Sequence, residues 1–536
     1  RFIQSFNLDV NLFKNENSQL KFRVNGGLDY IQNSTKVYLP DDLQFQRGQA
    51  NPGDVLVGKQ ESMNTNFQAA FVYDWKIKRV NFNTQVGLVR LDFRNDGLFN
   101  RGRGLAPGQI NIKQATVQEV ESQFESTQSD VGIFVQKQMN FEDKIIGTLG
   151  MRMDKSNTNG DANKFYGFPK ASLAINLANF DFWKIDAISQ LKPRVAYGQT
   201  AGPVPFGATF TSLGGVNIGG LLGATVPTSI GNTNIVPERA SEIEFGFDAG
   251  FLNNKILFEA TYYVKTTLDN LQPLTLSPAT GVVNTQSNEA EMRNKGFELG
   301  LSGTVVDKAN FKWFSRLLWW KNDILITKLG IPSYTTGAFG TALGTFLVQQ
   351  GVSPTTIVGT PAISPGVFTV WGNAQPDWTT SWSNNITLFK NFDLSVLTEY
   401  RSGGDNINLT SFLTDGGGTT KGWFDDSNND GIPNGRQRDP APYNNAGRWV
   451  QDATFLKIRE VGLYYTLPKE TLSKSFGNLI QRAKIGVSGN NVFLATKYVG
   501  YDPETSTFGA QALANNVDVA PYPTARRLFF HIQIDF

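Results

Sequence analysis

Six residues in one loop offer the chain its clearest opening for metal chemistry. In Asp426-Ser427-Asn428-Asn429-Asp430-Gly431, oxygen-bearing side chains fall at the first, third and fifth positions and a glycine at the sixth. This is the first half of a calcium loop, in which alternate residues wrap a hard cation and the glycine turns the chain. The backbone carbonyl of Ile432 would be the next ligand. The pattern then weakens, because position twelve is Gln437 and not a bidentate glutamate, and Asp439 lies two residues further on. A metal-free Asn/Asp/Gly-rich turn has the same composition. Ca²⁺ at Asp426, Asn428, Asp430 and Ile432 is therefore an expectation to be tested, and no cofactor is required.

Little else in the sequence can do chemistry. There is no cysteine, which removes disulfides, thiolate zinc sites and cysteine nucleophiles, and the single histidine, His531, is too little for a histidine-based metal centre. A Ser/His/Asp set can be assembled only around His531, which reads as a strand-wall residue, so no catalytic residue and no enzyme is expected. The 49 basic and 47 acidic residues nearly cancel, which argues against a nucleic-acid partner. Aromatic clusters at Trp313, Phe314, Trp319 and Trp320, and at Tyr464 and Tyr465, suit the girdles where amphipathic rings sit at lipid headgroups. Trp371, Trp423 and Trp449 lie in loops, where they would either pack the loop or stack on a sugar.

The elements that hold these residues follow a period of two. Phe245, Phe247, Ala249 and Phe251 alternate with Glu244, Gly246, Asp248 and Gly250. Ile256, Phe258, Ala260, Tyr262 and Val264 then oppose Glu259, Thr261, Tyr263 and Lys265, and only Leu257 breaks the rule. One face is apolar and the other wet. The inward charges Asp248, Glu259, Lys265, Glu399 and Arg401 would line a lumen. The longest apolar run, Ala69 to Tyr73, is about five residues, far short of the roughly 18 that a membrane helix needs. Segments of roughly 12 to 17 residues exceed the usual soluble strand and can cross a bilayer at a tilt. A slip of register across Arg459 and Glu460 predicts a β-bulge.

Connections alternate between tight and long, as outer-membrane barrels require. Tight turns are read at Lys14 to Asn17, Leu252 to Lys255, Val306 to Asn310 and Lys390 to Asn391. Long loops are read from Gln32 to Lys59, Gly202 to Pro237, Lys328 to Pro376, Gly404 to Val450 and Tyr498 to Pro523, and their Gly, Thr, Asn and Pro content suits exposed, irregular backbone. The count is about 17 strands. Single-chain bacterial barrels have even counts, so an odd number of strands is expected upstream of Arg1. The expected class is all-β: a large antiparallel transmembrane β-barrel with long extracellular loops, multi-pass in a Gram-negative outer membrane. The last segment puts Leu528, Phe530, Ile532, Ile534 and Phe536 on one face and ends on an aromatic residue, which looks like the C-terminal signature read by outer-membrane assembly machinery.

Several segments resemble the SusC/RagA family of TonB-dependent outer-membrane transporters. Glu238 to Thr267 (ERASEIEFGFDAGFLNNKILFEATYYVKTT) is similar to that family's mid-barrel hairpin, Asn294 to Gly303 (NKGFELGLSG) to its following strand, and Gln375 to Gly404 to the next hairpin. The ending is the most specific: Asp452 to Lys469 (DATFLKIREVGLYYTLPK), Ser488 to Glu504 (SGNNVFLATKYVGYDPE) and Tyr522 to Phe536 (YPTARRLFFHIQIDF), in that order. The resemblance implies a barrel of about 22 strands, of which residues 1–536 are the C-terminal majority, with the plug and N-terminal domains outside this chain. It also implies TonB as an energy-coupling partner reached through an upstream segment, a SusD-like surface lipoprotein as a lid, outer-membrane lipid around the wall, and pairing of two barrels. The function expected from it is import of a large nutrient, an oligosaccharide or a peptide. A passive porin-like channel and an outer-membrane scaffold of a secretion or surface complex are the alternatives.

Overall fold

Strict alternation leaves the backbone one regular way to segregate its two faces, an extended strand paired on both sides. In a computed structural model, residues 1–277, 279, 281–364, 367–438, 442–477, 479–507 and 516–536 are described. The long strands are β1 (Phe2–Lys14), β2 (Ser18–Leu39), β3 (Asp54–Ile77), β4 (Val80–Arg103), β5 (Val117–Phe141), β6 (Ile145–Ser156), β7 (Tyr166–Ile175), β8 (Ile188–Gly202), β9 (Glu238–Phe251), β10 (Ile256–Thr275), β11 (Asn284–Lys308), β12 (Phe311–Leu329), β13 (Trp378–Leu388), β14 (Phe392–Ser402), β15 (Phe455–Thr466), β16 (Arg482–Thr496) and β17 (Arg527–Asp535). With the short strand Ser229–Ile230, they belong to one sheet of 18 strands. The count of long strands agrees with the alternation. No helix among the described residues is long and apolar enough to cross a membrane.

The chain divides into two compact units. The first comprises Arg1–Leu173, Tyr197–Ala240 and Asp269–Asn288. Within it Val10 lies opposite Phe22, Phe22 opposite Phe71, Phe71 opposite Val86, Val86 opposite Val135 and Val135 opposite Met151. Directly opposed residues share a face, so these six form one apolar row across six strands. Phe71 is 51% exposed and Val86 49%. A contiguous apolar stripe of this kind is an aggregation site in water, whereas in hydrocarbon it is solvated. The neighbouring row, Leu8, Val24, Ala69, Leu88, Ile133 and Met153, repeats it. The other face is polar: Gln85 opposes Gln136, Asn83 opposes Gln138 and Asn81 opposes Asn140. At the turn end of β3 and β4, Trp75 stacks on Phe82 at 4.3 Å, and Lys137 Nζ sits 5.1 Å from the Phe82 ring centre. That trio is a girdle with a snorkelling lysine.

Above Leu88 the outward face of β4 turns charged, with Arg90 and Asp92 paired at 2.8 Å and Arg94 and Asp96 at 2.8 Å. The β2–β3 ladder continues from Gln32 and Glu61 up to Leu39 and Asp54, so the loop expected over Gln32 to Lys59 shrinks to residues 40–53. Beyond the bilayer both faces meet water, so alternation fades while the backbone ladder persists. Loops 40–53 and 104–116 close over a small core of Val55, Leu105 and Ala115.

The second unit comprises Ala174–Ala196, Ser241–Leu268 and Glu289–Phe536. Tight turns at Leu252 to Lys255 and at Phe389 to Asn391 hold several non-glycine residues at positive φ, the twist that short hairpins need. The connection from β15 to β16 departs from the expected pattern, because it carries the helix Lys469–Phe476 with Leu472 buried. Trp313 and Trp319 share a face with Leu317 and Trp382, whereas Phe314 and Trp320 share the opposite face with Arg316. Only the first pair can belong to a lipid girdle. Adjacent residues on one strand point apart, so the four rings do not form one girdle.

The long loops of this unit are folded, contrary to the irregular backbone expected. Strands Tyr334–Thr336, Thr345–Val348, Thr356–Ser364 and Val367–Asn373 form a four-stranded sheet, and Asp405–Asn408 pairs with Val450–Asp452 and Val517–Asp518. Phe346, Ile357, Ala374, Ile407, Leu409, Phe412 and Val517 meet in one core. Three connections, β12–β13, β14–β15 and β16–β17, thus build a single cap. Its β-branched stretches are too short, and too closely flanked by glycine and proline, to show a period.

Candidate functional site

The cap is seated on β14 and β15 through a cluster of charges that begins with a break in register. Thr398 opposes Ile458 but Leu397 opposes Glu460, which leaves Arg459 without a partner on β14. On the other side Ile458 opposes Phe493 and Glu460 opposes Asn490, with Asn491 at φ +54°. This is the predicted bulge. Before it Phe455, Lys457 and Arg459 face inward with Glu399 and Arg401, and after it Val461, Leu463 and Tyr465 take the lipid side opposite Val396, Leu394 and Phe392. The extra residue therefore adds an inward cation without spoiling the outer stripe.

Lys457, only 2% exposed, donates through Nζ to Asp502 at 2.7 Å and to Glu504 at 2.5 Å. Arg459 donates through Nε to Glu399 at 2.8 Å and through its two terminal nitrogens to Glu504 at 2.7 and 2.6 Å, a bidentate fork. Arg401 Nη2 is 3.5 Å from Glu504, and its Nε has no hydrogen-bond partner among the described residues. The buried Phe455 ring lies under all three cations, at 5.1 Å from Arg401, 5.4 Å from Lys457 and 5.7 Å from Arg459, within cation–π reach. Burial alone would raise the Glu504 carboxyl, but hydrogen bonds from Arg459 and Lys457 outweigh it and hold it down to about 2. In the cap, burial and the neighbouring carboxylates of Asp452 and Asp377 push Asp405 up, although the Asn373 amide bonded to it pulls the other way.

The same loop reaches the cap core. Asn406, fully buried, donates through Nδ2 to the Pro503 carbonyl at 3.0 Å. Ile407 N donates to Asn516 O at 2.9 Å, Tyr498 Oη donates to Asp518 at 2.8 Å, and Thr410 Oγ1 donates to the same carboxylate. Glu399, Arg401 and the Arg459 bulge were legible as inward features. Lys457, Asp502 and Glu504 were not singled out, although a Lys-x-Arg pair on one face and an acidic Asp-Pro-Glu 45 residues on were the available signal.

The other candidates lie apart from this cluster. Asp426 accepts from the amides of Asp430 at 3.1 Å and Gly431 at 2.7 Å, and Asp430 accepts from Ile432 N at 2.8 Å, Asn428 Nδ2 at 2.9 Å and Gln437 Nε2 at 2.7 Å. The loop closes on its own turn bonds, all of them exposed; Asp439 lies outside the described residues. Trp371 and Trp449 pack against the cap core, and the Trp423 ring lies over Gly435, where a Cβ would meet it at 1.9 Å. Loop packing thus accounts for these three tryptophans. Asp248 pairs with Lys192 at 2.6 Å and Arg194 at 3.2 Å, and Glu259 with Arg316 at 3.7 Å. His531 shares a 2.8 Å hydrogen bond with Ser488 and lies 5.3 Å from the Tyr464 ring, a wall position. Phe530, Ile532 and Ile534 oppose Val487, Ile485 and Ala483, and Phe536 follows the strand, 76% exposed.

A wall of long alternating strands with an apolar outer stripe, a polar inner face and folded outer loops defines an outer-membrane β-barrel. Residues 2–424 match the family model "TonB dependent receptor-like, beta-barrel", and the chain belongs to that family. The family is one of transport receptors of the Gram-negative outer membrane and not of enzymes. TonB-dependent receptor P3 of Formosa agariphila is 23% identical over 90% of the chain and 53% of its own length. TonB-dependent receptor SusC of Bacteroides thetaiotaomicron is 22% identical over 90% of the chain and 51% of its own. The chain spans about half the length of these relatives. Among solved structures, the RagAB peptide importer in its closed-closed state superposes with a TM-score of 0.78 at 19% identity, covering 100% of this chain and 62% of that one. The SusC/RagA resemblance of the sequence holds, and at this identity the superposition speaks for the fold.

Proposed function

We propose that the chain is the wall of a SusC-like transporter that imports a large nutrient captured between the barrel mouth and a SusD-like surface lipoprotein, with TonB supplying the energy. The observation that carries this reading is the folded cap. Loops built around their own core and seated on the wall make a stable docking surface, which a simple diffusion channel has no need of. Its rim exposes Val370, Leu413 and Tyr501, apolar side chains of the kind that partner surfaces cover. A peptide cargo is supported by the likeness to a peptide importer, and an oligosaccharide is the other cargo that the family resemblance of the sequence implies. The 17 long strands are fewer than the roughly 22 of a barrel that holds a plug in its lumen, so we propose that further strands complete the wall around a plug. Purification from native outer membrane tests the whole reading. One co-purifying lipoprotein and closed behaviour in planar bilayers are expected; steady conductance without a lipoprotein would favour the passive channel, and co-purifying secretion components the scaffold.

Two smaller roles join this proposal. Ca²⁺ ordering of the Asp426 loop predicts that EGTA speeds proteolysis between residues 421 and 438 and that added Ca²⁺ reverses it; equal cleavage in both would remove the metal. Phe536 as an assembly signal predicts that its deletion depletes the heat-modifiable form in outer-membrane fractions, and an undiminished amount would end that role.

A further inference from the structure

We propose that Asp502-Pro503-Glu504 is a keystone that seats the three-loop cap on β14 and β15 and so positions the surface on which the lid closes. The second half of this statement rests on the lid reading above; the first half stands on geometry alone.

Charge balance makes the seating specific. The wall contributes three cations, Arg401, Lys457 and Arg459, against one carboxylate, Glu399, and the loop brings the two carboxylates that complete neutrality. With the loop lifted away, two positive charges would stand uncompensated above a buried phenyl ring. No other described acidic group pairs with Lys457, whose side chain is 3% exposed against 5% for Asp502. Buried charges persist only when they are paired and hydrogen-bonded, so the wall selects this acidic segment over solvent.

The geometry of the segment fits the task. Asp502 accepts from the Glu504 amide at 3.0 Å, and its carbonyl accepts from Thr505 N at 3.0 Å, a local turn that aims both carboxylates at the wall. Proline between them limits the backbone freedom that seating would otherwise cost. The Pro503 carbonyl points the other way, to the fully buried Asn406 of the neighbouring loop. One tripeptide thus grips the wall through its side chains and the cap core through its backbone. Beyond it, Val517 enters that core beside Ile407, which brings in the loop that carries Phe346 and Ile357. The three loops share one foundation.

The complete receptor, expressed with its own lipoprotein, provides the test. Glu504→Gln should raise chymotryptic cleavage within residues 497–526 by roughly tenfold or more, because cleavage follows the population of the lifted loop. The heat-modifiable mobility of the barrel should be unchanged. Lipoprotein retention should fall with loop protection, and Lys457→Arg, which keeps the charge, should retain both. Loops of Glu504→Gln as resistant as those of the parent would overturn the keystone. Frayed loops with full lipoprotein retention would overturn the positioning role and leave only a local brace. A parent that binds no lipoprotein while Glu504→Gln still frays would sink the lid reading and leave the seating intact.

Discussion

Lys457→Met is expected to release the cap while the wall stays folded. Its side chain and that of Asp502 are 3% and 5% exposed, and removing one partner of a buried pair typically costs about 3–5 kcal/mol, because the other charge is left buried and alone. Methionine keeps the length and packing of the stem, so the loss is electrostatic. Hydrogen exchange should show faster amides at Thr505, Thr507 and Val519, which bond within the loop, and unchanged amides on β14. Unaltered loop protection would mean that packing alone holds the cap. The same cluster predicts a pH dependence. The folded-state value of Glu504 is lowered to about 2, so its contribution is fully present above the ordinary carboxylate value and is lost as pH falls towards 2. A shift of this size corresponds to ~3 kcal/mol. Cap protection should therefore be flat from about pH 5 to neutrality and decline below about pH 4, which hydrogen exchange normalised to the intrinsic rate at each pH can follow. A decline centred near neutrality would assign the dependence to another group.

Val86→Arg is the second large effect. Val86 stands in the apolar row with Phe71 and Val135, and an arginine at mid-bilayer on the lipid face of a barrel costs about 2–4 kcal/mol. Gln85→Arg, one residue away on the wet face, should cost little. Urea titrations of the receptor folded into phospholipid vesicles measure both. Equal penalties would mean that the two faces are not lipid and lumen. The contrast tests orientation directly, since the substitutions differ by a single step along one strand.

The wall was legible in the sequence because hydrocarbon imposes a two-residue period that few other environments impose so strictly. Phe245 and Phe247, or Phe258 and Tyr262, state their side without help from distant residues. Where both faces meet water the rule lapses, and the upper ladder from Gln32 to Leu39 carries no period that separates it from loop. The cap stayed hidden for another reason. Phe346, Ile407 and Val517 come from three connections more than a hundred residues apart at the extremes, and nothing in any one of them announces the other two. The Lys457 cluster lies between these cases. Its residues sit on readable strands and in a quoted motif, but their convergence depends on how a loop returns to the wall, which period and spacing do not encode. The Asp426 motif is the converse case, a recognisable string whose local turn bonds the structure shows.

The charged upper reach of β4 has a consequence for what meets the cell from outside. From Arg90 to Arg103 the strand continues for roughly 14 residues past the apolar stripe, which at about 3.3 Å per residue and a tilt near 45° is roughly 30 Å of height. A strand of that length holds the tips at residues 40–53 and 104–116 well clear of the lipid headgroups. Whatever approaches the surface from outside meets those tips before it meets the membrane.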